Sequence, residues 1–414
     1  MEDLKWLIRK YGWLFFLIVV IVLMSCLIFN KNRNEKRVEE VWEPPIELSD
    51  IGSECLPVED GIKNEAVEDC KAVMELVKDI YIKADKGTAS NVVVSDETMC
   101  QMKDVIKGMG YPVTSSETYA IMENYEKMEQ FLLNSRQGKS GSVLLYDVNY
   151  DGGIARELYT YDGMDMYVLW VRATWNGTDG VMITSVSYAR IKEWSYTEKG
   201  YFCYELCVPE PPEVTEIVDG STAIRVRPLT DECIELSKKC VLPLGYQGNN
   251  LLCSNWNTEN MEKLDYNGMY QYLYTMKYEE SFRAEDYPNG IPAEQFEHLI
   301  MEYLPVTAEQ IREWAVFDKE NQTYAWARLG CMNYSPTYFG TSVPEVIDIQ
   351  KNEDGTMILT VEAVCDMVIY NDAVITHELT VRFAEDGSFQ YLGNEILNNG
   401  IKDIPAYQYR IQEK

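Results

Sequence analysis

Asp147, Asn149, Asp151 and Gly152, in the run DVNYDGG, stand at the spacing with which a calcium-binding loop of the EF-hand type begins. Such a loop converges alternate oxygen ligands on the ion and needs a glycine at its sixth position for the sharp turn. Its twelfth position should carry a bidentate glutamate. Here that place holds Leu158, with Glu157 one residue early. The Asp151-Gly152-Gly153 run between two apolar segments is also what a tight hairpin turn requires, because its positions take positive φ. The expectation is a turn whose carboxylates face water, flanked by SVLLY and RELYTY as antiparallel strands. A calcium loop is the alternative.

Other chemistry is sparse. The two histidines, His298 and His377, are far apart in sequence, and no His-x-x-x-His or Cys-x-x-Cys pair exists, so a zinc site is not expected. No Gly-x-Ser-x-Gly elbow occurs. GYQGNNLL has neither the glycines nor the lysine of a phosphate loop. Cys-His catalysis has no local signature. Beyond residue 37 there are 64 acidic side chains, enough to assemble a glycosidase-like carboxylate pair but too many to single one out. Trp170, Trp175, Trp194, Tyr159, Tyr161 and Tyr167 fall on strand-like runs, where packing alone favours aromatic residues; a sugar or protein platform is the sharper alternative. No catalytic, cofactor-binding or metal-binding residue is assigned, and no cofactor is expected.

The elements that would position any site can be read along the chain. Residues 11–29, YGWLFFLIVVIVLMSCLIF, carry no charge and as a helix would rise about 28 Å, which predicts a transmembrane anchor. Residues 1–10 are then a cytoplasmic tail and 30–60 a stalk. LMSC, ending at Cys26, resembles a lipoprotein box imperfectly, so an uncleaved anchor is favoured over lipidation. The ten other cysteines are even in number, which suits disulfides in an exported domain as well as buried thiols. Cys203 with Cys207 and Cys233 with Cys240 lie too far apart along a regular strand or helix to bond to each other. Residues 38–414 hold 30 basic and 64 acidic side chains, which excludes a nucleic-acid footprint.

Helical spacing marks 64–86, a short helix opened by Ser95, and 115–135 with Ser115 or Ser116 as its cap. After Gly138 the apolar period shortens to two, and runs rich in Val, Tyr and Trp alternate with YDGG, YDGM and NGTDG turns. VPEPPEVT is a linker. The order then repeats: helical patterns in ECIELSKKC, YNGMYQYLYTMKYEE and IPAEQFEHLIMEYL, a Thr307–Gln310 capping box, and strands joined at NEDGT and AEDGS. The predicted fold class is α+β: the transmembrane helix, then two lobes, 61–208 and 217–414, each with helices followed by an antiparallel meander, joined by a linker at 209–216.

From about residue 195 onward, YTEKGYFCYELCVPEPPEV, VLPLGYQGNNLLCSNW, LPVTAEQIREWAVFD and VITHELTVRFAEDGSFQYLGN resemble an uncharacterised family of bacterial membrane-anchored proteins. The resemblance implies a bacterial, extracytoplasmic lobe and carries over no catalytic residue. The expected function is a non-enzymatic interaction or ligand-binding protein on the membrane, with a protein or glycan ligand. A cell-surface hydrolase using paired carboxylates and a structural part of an envelope assembly are the alternatives.

Overall fold

The structure is a computed structural model that describes residues 56–87, 91–177, 180–207, 221–330, 338–365 and 373–411. Ser53–Lys414 forms one compact unit. It opens with helix α1, Asp60–Lys83, whose buried Ala66, Cys70, Val73, Met74, Val77 and Tyr81 recur three or four residues apart and so form one apolar stripe. Helix α2, Asp96–Lys107, starts where the Ser95 side chain accepts from Thr98 N at 3.2 Å, a cap worth about 1 kcal/mol. It buries Met99, Met102 and Ile106 against the same core.

That core covers one face of a seven-stranded half-barrel sheet. Its strands run β1 Val113–Ser115, β2 Gly141–Val148, β3 Ile154–Tyr161, β4 Met166–Asn176, β5 Gly180–Tyr196, β6 Tyr201–Leu206 and β7 Ser221–Arg225, in spatial order of sequence. Alternation sorts the side chains. Tyr146, Val148, Ile154 and Leu169 pack under α1 and α2. Val143, Leu145, Tyr159 and Val168 face the other way, toward a second core with helix α3, Tyr125–Arg136.

The structure departs from the single helix predicted over 115–135. Val113–Ser115 pairs in parallel with Tyr146–Val148, and α3 begins only after Asn124, which is left-handed at φ 54°. The intervening loop is held by contacts distant in sequence. Glu117 binds Lys103 of α2 at 2.9 Å, and the Tyr119 hydroxyl donates to the carbonyl of Pro344. Tertiary pairing overrides the local helical pattern here.

The second half supplies helices α4 Asp231–Leu236, α5 Tyr266–Tyr278, α6 Ala293–Tyr303 and α7 Ala308–Trp314, the last with the predicted Thr307–Gln310 capping box. Its smaller sheet joins three short strands, β9 Ile291–Pro292, β10 Phe317–Asp318 and β11 Thr323–Tyr324, with β11 in the middle. Its larger sheet has the order β12 Val343–Lys351, β13 Thr356–Val364, β14 Ala373–Phe383, β15 Phe389–Ile396 and β8 Trp256–Asn257, all antiparallel. Gly355 and Gly387 take φ of 81° and 83° in the two Asp-Gly turns. Ion pairs join this larger sheet to the seven-stranded one: Lys199 to Glu362 at 3.0 Å, and Arg225 to Glu345.

Three expectations are corrected. The described residues form a mixed α+β fold, and no helix among them is long and apolar enough to cross a membrane. The single-pass membrane placement is therefore not supported; the tail 1–10, the predicted span 11–29, most of the stalk 30–60 and the linker 209–216 lie outside the described residues. The disulfide framework fails too: among the described residues no two cysteines lie at disulfide distance, the Cys203–Cys207 and Cys233–Cys240 pairs included. Burial of Cys70, Cys203, Cys233, Cys240, Cys253 and Cys365 accounts for them as small core residues.

Candidate functional site

The run DVNYDGG is a hairpin turn. Val148 pairs with Ile154, the Asn149 amide donates to Gly153 O at 2.9 Å, and the Gly152 amide donates to Asn149 O at 2.8 Å. Gly152 takes φ 73° as a turn requires, and a Cβ there would meet the Tyr81 ring at 2.6 Å. Asp151 accepts from Gly153 N at 2.9 Å and pairs with Arg172 at 3.1 Å. The flanking strands pair antiparallel, as predicted. One expectation about the turn fails: its carboxylates do not all face water, because Asp147 points into the protein.

The register explains where Asp147 goes. It lies opposite Ala155, while Glu157 lies opposite Leu145, so the two acids are diagonal neighbours on the sheet face that carries Val143, Leu145 and Tyr159. Between this face and the end of β12 and β13 is a cavity of about 750 Å³. Asp147, Glu157, Trp170 and Tyr204 line it from the first sheet, and Val343, Glu345 and Val364 from the second. Oδ1 of Asp147 is sealed from solvent and has no hydrogen-bond partner. Burial, reinforced by the neighbouring Glu157, pushes its carboxyl up to about 7, against an opposing pull from Arg172. Burial also raises Glu157, although Tyr159 and Trp170 donate to it and oppose the shift. The Tyr159 hydroxyl lies 2.5 Å from Glu157 Oε2 and 3.2 Å from the Tyr204 hydroxyl, so Glu157 is held on a relay of phenols.

The cavity's other two carboxylates are neutralised. Glu117 takes Lys103 at 2.9 Å and the Cys100 thiol at 3.1 Å; burial would raise its carboxyl, but these partners outweigh burial and hold it below the usual range. Glu345 takes the Arg225 guanidinium, which also stacks 4.2 Å above the Tyr201 ring and donates to its hydroxyl at 3.1 Å. Glu117, Tyr119, Arg225 and Glu345 carry no local signal in the sequence. Asp147 and Glu157 do carry one: each is an ionisable residue at an inward position of an alternating apolar strand.

The remaining candidates lie elsewhere. His298 is exposed on α6, 4.0 Å from Glu302. His377 is wholly buried on β14 between Tyr246 and Asn394, at 2.9 and 2.6 Å, and burial lowers its ring to about 4. It is a satisfied neutral core residue. Most of the strand aromatics pack against other rings: Trp175 stacks on Tyr81 at 4.6 Å, Trp194 meets Tyr161 at 6.2 Å, and Tyr167 meets Tyr188 at 5.9 Å. Only Trp170 of the six named aromatics lines the cavity. Among the described residues no group of three His, Cys, Asp or Glu side chains could hold a metal.

A family of unknown function, DUF6070, matches residues 63–410. The chain belongs to this family. The match spans the cavity and both of the sheets that enclose it, a wider stretch than the C-terminal half that carries the sequence resemblance, and it brings no assigned activity. No curated protein and no solved structure matches the chain.

Proposed function

We propose that this DUF6070 protein is a small-molecule-binding protein whose ligand enters the cavity between its two larger sheets. The observation that carries the reading is Asp147, a carboxylate without an ion-pair partner that lines a cavity of about 750 Å³ and whose Oδ1 has no hydrogen-bond partner in the protein. A buried acceptor left unmade costs about 1–3 kcal/mol, and more when charged. Folds rarely retain such a group unless something outside the chain satisfies it. The volume lies within the range of small-molecule sites, and polar groups set among apolar and aromatic walls are the usual composition of such sites. The test is a thermal-shift screen of the full chain beside Ala189→Phe, which fills the cavity wall. A ligand at a hundred times its dissociation constant should stabilise the native chain by about 2.7 kcal/mol and leave the filled variant unmoved. Ligands that stabilise both alike would sink the reading.

A second reading, hydrolysis by the same two carboxylates, has its own observation. Asp147 and Glu157 are diagonal neighbours on one sheet face and both line the cavity, the kind of facing carboxylate pair with which one acid protonates a leaving oxygen while the other activates water. Burial raises Asp147 to about 7, as a general acid working near neutral pH would need. Turnover of aryl glycosides that disappears in Glu157→Gln would support it; stoichiometric binding with no turnover leaves the binding reading alone.

A further inference from the structure

Charge balance around the cavity narrows the class of ligand, an inference that rests on the small-molecule-binding reading. Four carboxylates line the space. Glu117 has Lys103 and Glu345 has Arg225, so each of these is internally compensated. Among the described residues, Asp147 and Glu157 have no ion-pair partner. The guanidinium of Arg172 is engaged by Asp151 at 3.1 Å and acts on Asp147 only through space. Arg156, next in sequence to Glu157, projects to the opposite face and binds Asp69 at 2.5 Å. The sequence thus places two neighbouring acids in one enclosure and directs the adjacent cations away from them.

We propose that the cavity binds a small organic cation, an ammonium or amidinium on an apolar body, with its charged nitrogen between Asp147 and Glu157. Three features favour this class. The Asp147 carboxylate lines the cavity without a cation of its own, and a cationic N–H forms a charge-assisted bond about twice as strong as a neutral one. Trp170 and Tyr204 put aromatic rings beside the acids, and such rings attract organic cations through their quadrupoles. Leu145, Val168, Leu206 and Ile224 give apolar walls suited to a hydrocarbon body. The formal net charge of −30 draws cations toward the molecule in general.

Proton balance gives the proposal a signature. In the empty cavity both acids are disposed to hold protons, because burial and mutual repulsion disfavour two anions. A bound cation favours the ionised forms, so binding near neutral pH expels a proton to the buffer. A neutral ligand hydrogen-bonded at the same place would not.

The experiment is isothermal titration calorimetry of the full chain with phenethylammonium, phenethyl alcohol and hydrocinnamate, each in two buffers of different ionisation enthalpy. The expected result is that the ammonium binds about tenfold or more tightly than the alcohol and the carboxylate, with proton release. The double variant Asp147→Asn with Glu157→Gln should lose this preference while still binding the alcohol, which shows that it remains folded. If the alcohol binds as tightly as the ammonium, and Ala189→Phe abolishes both, the cavity binds small molecules and the cation proposal is overturned. If no probe binds, or all bind the filled variant equally, the binding reading falls with it.

Discussion

Asp147→Asn should make the protein less sensitive to rising pH. A carboxyl that binds its proton more tightly in the folded state than in the unfolded chain adds stability when protonated. For Asp147 that contribution is full below about pH 4, the unfolded value, and is lost as the pH rises through about 7, the folded value. The rise from 3.8 to about 7, at about 1.4 kcal/mol for each pH unit, corresponds to about 4 kcal/mol. Glu157 shifts in the same direction and adds to the slope. With an unfolding entropy of about 2.1 cal/mol/K per residue, the compact unit Ser53–Lys414 changes its melting temperature by about 1 °C for each 0.8 kcal/mol. The native chain should therefore lose about 5 °C more than Asp147→Asn between about pH 4 and pH 8. An amide neither ionises nor repels Glu157, so its packing cost is the same at every pH and cancels in the comparison. The assay is a pair of melting curves across pH, followed by fluorescence. Parallel profiles for the two proteins would refute the buried, unpaired placement of Asp147.

Lys103→Ala should destabilise by about 3–5 kcal/mol in urea denaturation, because Glu117 would keep a buried charge without its partner; Lys103→Met combined with Glu117→Leu should recover most of that loss. Calcium should leave the melting temperature unchanged relative to chelator, whereas Gly152→Ala should cost about 2 kcal/mol or more, since the turn needs φ 73° and the new Cβ meets Tyr81. A calcium-dependent rise of several degrees would refute the turn. Thiol titration of the denatured chain without reductant should count at least the six thiols of Cys70, Cys100, Cys207, Cys233, Cys240 and Cys253, and a smaller count would contradict the absence of disulfides among them.

Much of the scaffold is legible in sequence because its signals are local. The stripe from Ala66 to Tyr81 fixes α1, Ser95 and Thr307 fix two helix starts, and the Asp-Gly pairs at 354–355 and 386–387 fix two hairpins; each depends on residues a few positions apart. Alternation along SVLLYDV and IARELYTY likewise determines that Asp147 and Glu157 share a face with Val143 and Tyr159. Sequence could not decide what that face meets. The second sheet reaches it through Arg225 with Glu345 and Tyr119 with Pro344, contacts between residues distant in the chain, and these turn an acidic strand face into an enclosed cavity. The same distant contacts, with the pairing of Val113–Ser115 beside β2, convert part of a predicted helix into strand and loop. Protonation follows enclosure: the aspartate that opens the calcium-like run would stay ionised in water, and only the low dielectric and nearby Glu157 that tertiary packing brings raise its carboxyl toward neutrality.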